Sequence, residues 1–79
     1  MIRVDVTAHT NSTGKVLPIR FTWNEKEHQI LGIGRRWPAE DGEHILVMIP
    51  GDRVVELLYG FDQTWAIKPI PEQGKRWFG

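Results

Sequence analysis

The chain contains no cysteine, which excludes disulfide staples, thiolate metal ligands and a cysteine nucleophile together. Absence of cysteine fits a reducing compartment, and the expected location is the cytoplasm. Long hydrophobic runs are missing too. No apolar stretch approaches the roughly 20 residues that a helix needs to cross a bilayer. Met1-Ile2-Arg3-Val4-Asp5 lacks the apolar segment of a secretory signal, so no membrane partner is expected. Nor is there an excess of charge: 10 Lys and Arg balance 10 Asp and Glu. A neutral chain presents no global field to draw in nucleic acid or anionic lipid. Helical periodicity is absent throughout, and so are internal repeats and low-complexity segments.

What remains fits one small globular domain. Seventy-nine residues, 41% of them hydrophobic and four of them tryptophan, can bury a core without staples, because each aromatic removes about 150–250 Å² from water. The expected organisation is a single β domain over residues 1–70, followed by a flexible C-terminal tail over 71–79. Pro69, Pro71 and Gly74 stop regular structure there.

Short segments of period two dominate, the signature of half-buried strands. Ile2, Val4, Val6 and Ala8 alternate with polar residues, and Asn11-Ser12-Thr13-Gly14 reads as a turn. A second strand alternates Ile19, Phe21 and Trp23 with polar neighbours. A third runs from about Glu27 to Arg36, and a hairpin folded about Glu25-Lys26 sets Trp23 opposite His28. Gly32 and Gly34 interrupt that third strand, as a bulge or bend does where a small barrel turns a corner. A fourth strand, His44 to Ile49, and a fifth, Arg53 to Tyr59, meet about Pro50-Gly51-Asp52-Arg53. Placing Gly51 first in a type II′ turn sets Leu46 opposite Leu57 and Met48 opposite Val55. Both faces of this hairpin are apolar, so one of them is left for another element or another molecule. Thr64 to Lys68 makes a sixth strand. The predicted fold is mostly β: an antiparallel meander of about six short strands forming a small barrel or roll, with little or no helix.

Phe21-Thr22-Trp23, His28 and Trp37 form one set of landmarks. His44-Ile45-Leu46-Val47, Val55-Glu56-Leu57-Leu58-Tyr59 and Trp65 form another. In these, Leu17 to Lys68 resembles a family of small bacterial β domains of unknown function, marked by a Phe-x-Trp strand, a Tyr-Glu-Leu-like strand and a late tryptophan. The resemblance covers about two thirds of the chain and implies a compact β domain with no assigned activity and no catalytic residues. The chain departs from that pattern at the first hairpin tip, where Glu25 stands in place of a glycine.

Signals for chemistry are sparse. His28 and His44 fall at opposite ends of adjacent strands, about 26 Å apart at 3.3 Å per residue, so no metal site is expected. The lone serine, Ser12, lies in a turn without the strand-to-helix elbow of a nucleophile. Gly32-x-Gly34 lacks the third glycine and the helix of a phosphate cradle. A barrel this small fills its interior with side chains. No catalytic residue, cofactor or small-molecule substrate is therefore expected, and the chain reads as a non-enzyme. The favoured function is a protein-interaction or structural module, self-associating or bound to a protein partner. The alternative is a nucleic-acid-binding small barrel, which would join a basic groove to aromatic stacking platforms. Its surface would comprise Arg35, Arg36 and Trp37 with Lys75, Arg76 and Trp77 of the tail.

Overall fold

The computed structural model describes residues 2–69, and its regular structure there is all β. The strands are β1 (Ile2–Thr10), β2 (Val16–Trp23), β3 (Lys26–Gln29), β4 (Gly32–Ala39), β5 (Gly42–Ile49), β6 (Arg53–Gly60) and β7 (Trp65–Pro69). All pairings are antiparallel. The sheet order is β3-β2-β1-β7-β6-β5-β4, so every adjacent pair except β1–β7 is also consecutive in the chain. The expected meander is the fold. The tail expected over residues 71–79 lies outside the described residues.

The sheet curls because its two edge strands are neighbours in sequence. β3 and β4 are separated only by Ile30 and Leu31. The Ile30 N–H donates to the Ile19 carbonyl beside β3 at 3.0 Å, and the Leu31 N–H donates to Met48 on β5 at 2.7 Å. One peptide step hands the chain from one end of the sheet to the other. The single third strand expected from the sequence is therefore two strands. The glycine bend falls where the chain has just changed partner: Gly32 opens β4, and the register shifts between Ile33 and Arg36, around Gly34.

Curling gives the sheet an inner and an outer face. The inner face carries the core: Ile45, Val47 and Ile49 from β5, Val55 and Leu57 from β6, Trp65 and Ile67 from β7, with Val4 and Phe21 opposite. Each such side chain, fully buried, contributes about 1.5–3 kcal/mol. Trp23 and Tyr59 pack against the edge of this cluster, and His28 stacks on Phe21 with ring centroids 5.0 Å apart.

Both hairpin registers differ from those expected, for different reasons. The β2–β3 tip is Asn24-Glu25, with φ of 55° and 63°, a pattern that fits a type I′ turn. Trp23 therefore faces Lys26, and Phe21 faces His28. The shift is even, so the faces stay as expected. Asn24 tolerates the left-handed region, whereas Glu25 is strained there by about 1–2 kcal/mol. In β5–β6 the shift is odd. The loop is Pro50-Gly51-Asp52, with Gly51 at φ 91° following Pro50 and Asp52 at φ 55°. Ile45 consequently faces Leu57 and Val47 faces Val55. A slip of one residue moves every side chain to the other face. Leu46, Met48, Val54 and Leu58 point outward.

Candidate functional site

The register of five strands builds the outer face row by row. Arg3 pairs with Ala66, Ala66 with Leu58, Leu58 with His44 and His44 with Trp37, one residue from each of β1, β7, β6, β5 and β4. The neighbouring row holds Lys68, Glu56 and Leu46, and the next holds Val54, Met48 and Gly32. In the opposite direction Gly60 pairs with Gly42, two residues without side chains.

His44 is the most constrained polar group on this face. Its Nε2 lies 2.8 Å from Asp41 Oδ1 and its Nδ1 lies 2.7 Å from Glu56 Oε2. Trp37 covers it in a stack, with centroids 5.3 Å apart and planes within 12°. Both nitrogens face carboxylates, so both contacts are satisfied together only by the imidazolium. Burial opposes that charge, but the hydrogen bonds to Asp41 and Glu56 and the charges behind them outweigh it, and the pKa of His44 is raised. The hydrogen bond from His44 holds the Asp41 carboxyl below its ordinary range. Among the described residues no group of three or more His, Asp or Glu is placed to hold a metal ion.

A dependence of stability on pH follows. A raised pKa in the folded state means that stabilisation by His44 is complete below its unfolded pKa and is lost as pH rises through the folded value. The depressed carboxyls, Asp41 with His44 and Glu43 with Arg36, act on the other side, their contribution fading on acidification. Denaturant unfolding should therefore show a maximum on the acid side of neutrality and a decline as pH rises through the folded pKa of His44. His44→Gln should flatten the alkaline limb and leave the acid limb due to Glu43 and Asp62. An unchanged alkaline limb in that variant would refute the assignment.

The three described residues of the expected binding surface do not assemble into one. Arg35 is exposed. Arg36 pairs with Ile45 in the ladder and so faces inward, whereas Trp37 pairs with His44 and faces outward. The Arg36 guanidinium is held inside the molecule, its Nε 3.0 Å and Nη2 2.7 Å from the two carboxylate oxygens of Glu43. Nη2 also donates to the Val16 carbonyl of β2 at 2.8 Å. No ladder joins β2 to β4, and this side chain spans the seam between them. Lys75, Arg76 and Trp77 lie outside the described residues.

Two other features occupy the outer face: the uncovered apolar side of the β5–β6 hairpin that the sequence led one to expect, and a depression it did not single out. At the end nearest the Pro50–Asp52 loop, the ladder partners Met48 and Val54 are 49% and 38% exposed, and Leu31, just before β4, is exposed beside them. At the other end, around Gly60, lies a depression of about 420 Å³. Leu58, Gly60 and Ala66 form its floor, and Phe61, Asp41 and Asp62 its rim. Phe61 is 78% exposed. Asp62 Oδ1 accepts from the Thr64 hydroxyl at 2.6 Å and the Thr64 N–H at 3.2 Å. These bonds fix the turn and, with Thr64 first among the causes, lower the Asp62 pKa.

None of the described residues forms a helix long and apolar enough to cross a membrane. Compared with known proteins, the chain matches no protein-family model, no curated protein and no solved structure. Function has therefore to be argued from the surface alone.

Proposed function

We propose that the chain is a non-catalytic protein-interaction module of the cytoplasm that self-associates through the outer face of its β5–β6 hairpin. The observation that carries this reading is the exposed apolar strip of Met48 and Val54 on the outer face, with exposed Leu31 at its edge. The core does not need these residues: it is complete on the inner face without them. Large side chains of this kind, standing together on a sheet face, favour association because covering them removes apolar area from water. The strip lies on the convex side of a curled sheet, a shape that suits another protein surface better than a small molecule needing enclosure.

A second copy of the chain suits the charges around the strip. Asp52 and Arg53 are adjacent at the hairpin tip, and Glu56 and Lys68 face each other on the next row. A two-fold axis near the strip would bring such opposite charges together across the interface. The lack of cysteine fits a reducing compartment, and the resemblance to small bacterial β domains adds no activity to this reading.

Sedimentation velocity across a concentration series tests it. The expected result is a reversible monomer–dimer equilibrium that Met48→Lys shifts to monomer while the β circular dichroism spectrum stays unchanged. Monomer at every concentration up to roughly 1 mM, the weakest range in which association energy is still appreciable, would overturn it.

A further inference from the structure

We propose that the depression at the Gly60 end of the outer face receives a basic side chain, arginine or lysine, from a partner polypeptide. The inference rests on reading the outer face as a docking surface and names a second, chemically distinct anchor on it.

The depression exists because of where small residues fall. Gly60 has no side chain to fill the outer face there, and Ala66, small itself, faces Leu58 one row along. The floor therefore drops below its surroundings and is apolar where Leu58 and Ala66 line it. That floor suits the aliphatic stem of a long side chain, which buries its methylenes while its head stays polar. Phe61 stands at the rim, 78% exposed, and its ring is open to a cation over its face. An exposed phenylalanine in a four-residue turn does nothing for the core, which lies on the other side of the sheet.

Charge decides which ligand fits. Asp41 and Asp62 flank the rim. Each uses Oδ1 internally, Asp41 towards His44 and Asp62 towards Thr64, and neither hydrogen bond employs Oδ2. Glu56 already balances the His44 imidazolium at 2.7 Å. Among the described residues, Asp41, Asp62 and Glu56 stand against His44 and Arg3, the ladder neighbour of Ala66 that also acts on Asp62, and the rim stays net negative by one charge. An apolar floor, an open aromatic ring and a negative rim complement a guanidinium or ammonium head on an aliphatic stem. A carboxylate would be repelled, and a neutral side chain would leave the rim unanswered.

The turn that presents Phe61 is held in place rather than left to drift. The Gly60 N–H donates to the Thr64 carbonyl at 2.9 Å, and the Gln63 N–H donates to the Gly60 carbonyl at 3.0 Å. With the two bonds from Thr64 to Asp62, the rim is ordered before any ligand arrives, which lowers the entropic cost of binding.

Titration of the full chain with Nα-acetyl-arginine methylamide, followed by amide chemical shifts, tests the proposal. The lysine and norleucine analogues serve as parallel probes. Saturable shifts confined to Gly60, Phe61, Thr64 and Ala66 are expected with the arginine or lysine probe and not with norleucine. Phe61→Ala, which removes an exposed ring, should weaken that binding about two- to fivefold, the range of an exposed cation–π contact. Equal response to norleucine, shifts spread over all surface carboxylates, or unchanged affinity in Phe61→Ala would each overturn it. The probes read the depression alone, and sedimentation of Met48→Lys reads the apolar strip alone, so failure of one is distinguishable from failure of the other.

Discussion

Alanine at Gly42 is expected to destabilise the chain by about 2–6 kcal/mol, with loss of folding at ordinary temperature as the extreme outcome. Gly42 has φ of 140°, a conformation that costs a side-chain-bearing residue about 1–3 kcal/mol. Space is closed as well. A Cβ there would collide with the Tyr59 carbonyl oxygen and lie 2.9 Å from the Gly60 Cα, both backbone atoms of the partner strand that cannot rotate away. Relief requires β5 and β6 to separate at the end where Gly42 pairs with Gly60, and overpacking of this kind adds about 1–3 kcal/mol. A domain of this size holds roughly 4–12 kcal/mol in total. A fall of Tm by at least about 8 °C is therefore expected, at about 4–8 °C per kcal/mol. Gly34→Ala provides the contrast. Its Cβ would meet the Leu46 carbonyl oxygen at 3.6 Å and the Leu46 Cβ at 3.9 Å, ordinary contacts, so a change below about 1 kcal/mol is expected. Equal melting temperatures for the two variants would refute the steric argument.

The second large effect belongs to Arg36. Arg36→Met keeps the aliphatic stem and removes the fork that holds both Glu43 oxygens and the Val16 carbonyl. The Arg36 side chain is 11% exposed and Glu43 is 36% exposed, so the glutamate left behind can turn partly to water. The loss is then expected below the 3–5 kcal/mol of a fully buried pair, at about 2–3 kcal/mol. Among the described residues the buried Arg36 Nη1 has no hydrogen-bond partner, which offsets part of the gain from the pair. Arg36→Met combined with Glu43→Gln should accordingly lose less than the sum of the single changes, a coupling read from a double-mutant cycle. Amide exchange gives the structural side of the test. If the guanidinium closes the seam, exchange in β4 should rise in Arg36→Met more than in Glu43→Gln. Full additivity, with β4 exchange unchanged, would mean that the seam is held by something else.

The strands were legible in the sequence because alternation of apolar and polar residues is a direct imprint of one buried face, and this held for β1, β2 and β7. The corner was legible too, since Gly32 and Gly34 broke a strand pattern. Register was harder to read, and each hairpin shows why. Asn24 in the left-handed region moved the first tip by one position at each side, which the pattern tolerates because Phe21 and Trp23 keep their face. In β5–β6 every position from Ile45 to Ile49 is apolar, so two opposite registers satisfy the same pattern. Only the conformation of Gly51 behind Pro50 decides between them. With the wrong register, His44 and Glu56 do not stand diagonally across the ladder, and the Asp41–His44–Glu56 cluster cannot be seen. A histidine three residues after an acid at a strand start was the available signal. Arg36 and Trp37 looked like one surface because they adjoin in sequence. Strand geometry sends neighbours to opposite faces, and the pairings of Ile45 and His44 fix which goes where.

The pairing of β1 with β7 bears on how the chain reaches this fold. All other ladders join consecutive strands across turns of two to five residues, and hairpins of that size form in about 1–10 μs. The Ile2–Ile67, Arg3–Ala66 and Val4–Trp65 contacts instead close a loop of more than 60 residues, and the entropy of that closure is lost before three residue pairs can repay it. Collapse of the four-strand meander β4–β7 can therefore run ahead, with docking of the β1–β3 unit as the slow, non-local event that sets the folding rate.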